Sequence, residues 1–237
     1  MNAQTRWQKA QAYEAAWWRR RQGDFDHYER YAAQLTDIAA PWLTIGATTT
    51  ILEIGPGPGG ILTHLPAGTR VAVEPLNDLF AAMPAVQAFR DPAVVYHPTP
   101  AENLPMGPQT VDLVIMDNVL DHCMQPQQVL DEIDRVLRPD GLIFLRQNVY
   151  HLWGRAVRSL MERFVVDPGH PHTFGPDHML QNFSSRQWQI LAGEPGSYAA
   201  TWWDELSDFT PKELTKALLF VTRRRDWWLL QKGSTAS

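Results

Sequence analysis

The chain has 237 residues, 44% of them hydrophobic and 20% charged, with a formal net charge of −5. That size allows one full core without staples. The mild acidity speaks against nucleic-acid partners, which need clustered Lys and Arg on phosphate, and no run of about 18 apolar residues is present to span a membrane. Cys123 is the only cysteine, so no intrachain disulfide can form, as suits a reducing compartment. The opening residues are polar and aromatic and lack an apolar signal core. The expected location is cytoplasmic. Composition leaves the oligomeric state open.

Residues 1–45 are helical in pattern. Tyr28, Tyr31, Leu35 and Ile38 recur at near-helical spacing and would share an apolar face. Pro41 ends that pattern. The segment reads as an N-terminal helical cap on a main domain over 46–237. Two basic triplets, Arg19-Arg20-Arg21 and Arg223-Arg224-Arg225, read as solvated helix ends or turns.

From 49 to 150, short apolar runs alternate with helical segments. The runs are Ile51–Ile54, Val71–Val73, Val94–Tyr96, Val111–Met116 and Leu142–Leu145. Brief, nearly continuous runs of this kind suit strands buried on both faces of a parallel sheet. Val129, Leu130, Ile133, Val136 and Leu137 mark an amphipathic helix that stops at Arg138-Pro139-Asp140-Gly141. The fold class expected is α/β, a doubly wound, mostly parallel Rossmann-like sheet. Beyond 150 the pattern suggests helices near Val157–Met161, Asp177–Gln181 and Pro211–Phe220. Strands near Gln187–Leu191 and Trp227–Gln231 would pair antiparallel at the sheet edge. Trp227 and Trp228 would then face opposite sides.

The segment Glu53-Ile54-Gly55-Pro56-Gly57-Pro58-Gly59-Gly60 runs from a buried strand into a glycine-rich turn and a following helix. Glycine lets backbone approach a nucleoside that any Cβ would block. Gly55, Gly57 and Gly60 also satisfy the dinucleotide pattern, so an NAD-linked oxidoreductase stays open. Glu53 discriminates, because its carboxylate suits an amino group and would repel a pyrophosphate. Glu74, at the end of the next strand before Pro75, can accept both ribose hydroxyls of either ligand.

These residues resemble the class I S-adenosylmethionine-dependent methyltransferases of the small-molecule type, across about 49–150. Glu53–Gly59 is similar to the family's first motif and Glu74 to its ribose-binding acid. Thr99–Met106 is similar to the adenine-side loop. Val111–His122 is similar to the fourth strand and the loop over the methionine moiety. The resemblance implies S-adenosylmethionine as cofactor and a small-molecule methyl acceptor. It assigns cofactor contacts to Glu53, Gly55, Pro56, Gly57, Gly59, Glu74, Pro75, Ala101, Glu102, Asn118 and Val119. Pro100 stands where the family usually carries an adenine-binding Asp. The Ala101 N–H remains available to a ring nitrogen, and the Glu102 carboxylate is the substitute acceptor on offer.

Methyl transfer needs alignment and a dry site more than a fixed catalytic motif, with a base where the acceptor must lose a proton. His122 is the candidate base, with His170 and His172 behind it, and Asp117 and Asp121 could orient the acceptor. Asp112 reads as structural. With His178, the H-x-H of His170 and His172 could suggest a metal site, but in a Pro-rich loop that pattern is weak evidence, so no metal is assigned. Tyr13, Trp17, Trp18, Tyr28 and Tyr31 would form an aromatic lid or pack the cap. A non-enzymatic module of this fold would have no need of the glycines.

Overall fold

The computed structural model describes residues 1–20, 25–165 and 167–233. Its strands are β1 Thr50–Ile54, β2 Thr69–Val73, β3 Val95–His97, β4 Val111–Asp117, β5 Leu137–Tyr150, β6 Trp188–Glu194 and β7 Arg223–Lys232. They form one sheet in the order β3-β2-β1-β4-β5-β7-β6. The first five strands pair in parallel. β7 runs antiparallel to both β5 and β6, so the last two strands pair antiparallel at the sheet edge as expected.

Alternation along the strands sends side chains into two cores. One holds Leu52, Val114, Ile143 and Leu145 against helix α5, Pro126–Val136, through Val129, Leu130, Ile133 and Val136. The other holds Ile51, Leu113, Ile115 and Phe144 against helix α2, Asp26–Ala39, through Tyr28, Ala32 and Leu35. Trp228 joins the first core beside Phe183, and Trp227 stacks on Phe144 in the second.

The helical N-terminus is two helices, α1 Ala3–Arg20 and α2. Residues 21–24, and so Arg21 of the first basic triplet, lie outside the described residues. The buried Arg6 ties α1 to the segment that follows β5. It pairs with Glu162 and donates to the Pro168 and Asp167 carbonyls at 2.6 and 3.0 Å.

The helix expected after the glycine turn is a single 3-10 turn, Ile61–His64. Leu65 is extended (φ −95°, ψ 132°) because it precedes Pro66. Two short helices, α3 Asn77–Ala81 and α4 Pro84–Phe89, cross between β2 and β3. The C-terminal part contains α6 Leu152–Glu162, α7 Pro176–Ser185, α8 Tyr198–Ser207 and α9 Pro211–Leu218. The sequence pattern did not announce α8. Among the described residues no helix is long and apolar enough to cross a membrane.

Candidate active site

A cavity of about 580 Å³ opens outside the carboxyl ends of β1, β2 and β4, large enough for a nucleoside-sized ligand. Strand order reverses between β1 and β4, the crevice where open α/β sheets place their ligands. Of the predicted cofactor contacts, Glu53, Gly55, Pro56, Gly57, Glu74, Pro75, Ala101, Glu102, Asn118 and Val119 all line it, as does His122.

Gly55 and Gly57 have φ of +66° and +63°, a left-handed conformation that disfavours side chains. A Cβ on Gly55 would come within 2.4 Å of Val119 Cγ2, so the β4 loop can approach the turn only over a glycine. Gly59 departs from expectation. It is off the cavity, where a Cβ would meet Phe89 at 2.1 Å, and its carbonyl accepts the Tyr96 hydroxyl. Gly59 serves packing.

The two carboxylates hold the turn in place. Glu53 was expected to face a ligand amino group, yet its oxygens accept the Ile61 and Leu62 N–H groups at 3.1 and 2.9 Å. Glu74 accepts the N–H groups of Gly57 at 3.1 Å and Leu76 at 2.9 Å. Burial raises the pKa of both, against these hydrogen bonds, and pushes Glu53 up to about 7.

Burying the charged form of Glu53 therefore costs stability. With a folded value near 7 and an ordinary value of 4.5, its proton-linked contribution is complete below pH 4.5 and lost as pH rises through 7. The loss is on the order of 3 kcal/mol. Glu53→Gln is expected to flatten stability between those limits. Urea midpoints of wild type and variant across that range check it, and parallel pH profiles would refute it.

On the third side, the Ala101 N–H has no acceptor among the described residues. Glu102 is partly committed elsewhere: its Oε1 accepts from Met124 and Gln125 at 2.7 and 2.8 Å and caps the approach to α5. Asn118 closes β4 at φ +56°, and its Oδ1 accepts the Asn148 N–H at 3.2 Å, stapling β4 to β5.

His122 sits at the heart of a polar cluster. Its Nδ1 is 3.9 Å from Glu14 Oε1 of α1, and its Nε2 is 3.9 Å from Asp121 Oδ1. Both distances are beyond hydrogen bonding, and Nδ1 is buried without a partner. His170 packs against it at 4.5 Å between ring centroids. Burial alone would lower the His170 pKa, but the hydrogen bond to Asp167 at 3.0 Å and the nearby carboxylates raise it. Asp167 is in turn held by Arg158 at 2.9 Å.

Of the orienting acids, Asp121 accepts from Gln147 at 2.8 Å and Asp117 is clamped by Arg146. Asp112 is structural as read, accepting the Thr50 N–H at 2.8 Å and pairing with Arg138. His172 and His178 are not brought to the cavity; His178 lies on the surface beside Arg155 and Asp177. The histidine that joins His122 and Asp121 is His170, and ligand atoms of these three lie within 4.8 Å of one another.

Tyr13, Trp17, Trp18 and Tyr28 line the cavity, Trp18 and Tyr28 also pack onto the domain at Phe80 and in the second core, and Tyr31 lies under the Arg146 guanidinium. Sequence reasoning missed Glu14, Asn148, Lys212, Arg223 and Arg225, which also line it. The second basic triplet is neither a helix end nor a turn: it starts β7. The signal was there, since Arg223, Arg225 and Trp227 alternate with Arg224 and Asp226 at strand period.

Residues 52–145 match a family described as a methyltransferase domain. An uncharacterized methyltransferase of Mycobacteroides abscessus is 28% identical over 180 residues, 75% of this chain and 58% of the relative. The chain thus spans less than two thirds of that protein. Among solved structures, the geranyl diphosphate C-methyltransferase of Streptomyces coelicolor was crystallised with Mg2+, geranyl diphosphate and S-adenosyl-L-homocysteine. It superposes with TM-score 0.62 at 13% identity, over 86% of this chain and 81% of that one. A phosphoethanolamine N-methyltransferase of Haemonchus contortus, solved with phosphomonomethylethanolamine and S-adenosylhomocysteine, gives 0.59 at 14% identity over 85% and 53%. At these identities the likeness is one of fold.

Proposed function

We propose that this chain carries a class I S-adenosylmethionine-dependent methyltransferase domain and moves a methyl group from S-adenosylmethionine to a nucleophile on a small molecule. The observation that carries the reading is the cavity over the glycine turn, with its positive-φ glycines, its two strand-end carboxylates and the unpartnered Ala101 N–H. A buried acceptor, Asn148 Oδ1, also lines it without a hydrogen-bond partner. Such an atom suits the ammonium of an amino-acid moiety.

The bound donor would supply a methyl already activated by its sulfonium. Gly55 and Gly57 would let the nucleoside lie on backbone, and Glu74, fixed by the Gly57 and Leu76 N–H groups, would accept from the ribose hydroxyls. The Ala101 N–H would donate to an adenine ring nitrogen. Asn118 and Val119 would border the methionine side. Glu53 acts through the turn as a positioning residue.

His122 would take the acceptor's proton on a ring nitrogen. Imidazole is the side chain most used for that work near neutral pH. Asp121 and Glu14 flank it, each with a carboxylate oxygen 3.9 Å from a ring nitrogen. α1 would cover the site and exclude water with Trp17 and Trp18, whose rings meet edge to face at 4.7 Å.

A thermal-shift series tests the donor. S-adenosylhomocysteine at a hundredfold excess over its Kd should add about 2.7 kcal/mol, a rise of roughly 5–10 °C for a domain of this size. NADH should add none. No shift with either S-adenosyl compound would refute the reading, and a shift with NADH alone would restore the oxidoreductase.

A further inference from the structure

Arg223 and Arg225 reach the cavity because β7 runs against its neighbours. The parallel strands end at the cavity rim, and an antiparallel strand between β5 and β6 must begin there. In register, Arg223 faces Tyr150 and Arg225 faces Asn148, at the carboxyl end of β5. Strand alternation puts Arg223 and Arg225 on one face and Arg224 on the other. Arg224 is neutralised by Asp226 at 2.9 Å. Lys212, in the first turn of α9, also lines the cavity.

Among the described residues, none of Arg223, Arg225 and Lys212 forms a side-chain hydrogen bond or ion pair. Asp117 is the carboxylate that attracts Arg225, but Arg146 already holds it, with Nε to Oδ1 at 2.7 Å. Crowding by protein, with repulsion from Arg146 and Arg223, keeps the Arg225 guanidinium below its usual range despite that attraction. Like charges gathered without partners at a cavity wall disfavour the fold, unless an anion completes them.

The cavity is also polarised. Glu53 and Glu74 stand at the β1 and β2 ends and the arginines at the β5 and β7 side, while Asp117 and Asp167, which also line the cavity, are already paired with Arg146 and Arg158. A cationic donor suits the first half. We propose that the second half is an oxyanion subsite: the acceptor carries a carboxylate or phosphate group that Arg223 and Arg225 grip, with Lys212 adding charge. Guanidinium forks match both oxyanions bidentately. This deepens the methyltransferase reading and rests on it for the word acceptor, while the anion site itself does not.

The test is titration of inorganic phosphate and of acetate at constant ionic strength, with chloride as reference, into wild type, Arg223→Gln/Arg225→Gln and Arg20→Gln. Each is measured with and without S-adenosylhomocysteine, by calorimetry and thermal shift. Phosphate or acetate should bind wild type saturably above chloride, and which one does so identifies the oxyanion. The double variant should lose about tenfold or more in affinity, and Arg20→Gln none.

S-adenosylhomocysteine affinity should be unchanged in the double variant. A parallel fall would mean that the arginines hold the donor's own carboxylate, and would overturn the proposal. So would anion binding no better than chloride, or binding that survives in the double variant. If the double variant does not fold, Arg225→Lys serves: it keeps the charge and loses the fork, so phosphate or acetate affinity should still drop. Failure of S-adenosylhomocysteine to bind wild type would sink the reaction while leaving the phosphate and acetate result standing on its own.

Discussion

His122→Asn is expected to lower kcat by about 10²–10⁴-fold while leaving S-adenosylhomocysteine affinity within about twofold. The ring is not part of the hydrogen-bonded framework: Nδ1 is buried with no partner, and Nε2 stands 3.9 Å from Asp121. Its neighbours have other anchors. Asp121 is held by Gln147, and His170 by Asp167. Removing the imidazole therefore removes a proton acceptor more than a support. Asn keeps polarity and approximate bulk and cannot take the proton. Transfer of labelled methyl under saturating substrates, beside a calorimetric titration of S-adenosylhomocysteine, separates the two effects. Unchanged kcat would remove His122 from the chemistry. A collapse of both readouts would make it structural.

Gly55→Val should abolish measurable S-adenosylhomocysteine binding and also weaken the fold. The left-handed backbone at φ +66° costs about 1–2 kcal/mol with a side chain, and branching adds to it. The new Cβ would overlap Val119, which must move out of a packed loop for about another 1–3 kcal/mol. Gly57→Val separates ligand from fold. Its Cβ would stand at ordinary contact distance, 3.5 Å, from Trp18 and the Tyr28 hydroxyl. The methyls would then fill cavity space at the cost of backbone strain alone. The expected order is a larger loss of thermal stability for Gly55→Val, with binding lost in both. Retained binding in Gly57→Val would mean that the nucleoside does not lie on this turn.

The parallel half of the fold could be read from the chain because its strands bury both faces and carry uninterrupted apolar runs. Ile51–Ile54 and Val111–Met116 admit few other states. The glycine turn was equally plain, since four glycines after a buried strand have few packing explanations. The element after it was misread, because apolar Ile61 and Leu62 look helical until Pro66 and the Glu53 carboxylate are taken into account. The roles of Glu53 and Gly59 depend on long-range partners, Leu62 N–H and the Phe89 ring, that no local pattern shows. The same holds for Arg225. Charge runs read as solvated faces unless strand alternation is applied to them, and here it sorts the triplet into one paired and two unpaired arginines. α8 has an ordinary start at the Ser197 side chain, which accepts the Ala200 N–H. Its aromatic content masked the helical period.

The clasp made by Arg6 has a consequence for the order of events in a catalytic cycle. It fastens α1 to Glu162 and to the carbonyls of Asp167 and Pro168, in the same loop that presents Asp167 and His170 to the cavity. The helix that carries Glu14 and the tryptophans is thereby joined to the second imidazole of the polar cluster. Lifting one pulls on the other. Entry and exit of ligands would then be tied to dismantling the proton-handling cluster, so the assembled state exists only while the door is shut. In the proposed reaction, ligand exchange and proton handling would alternate, each waiting on the same clasp.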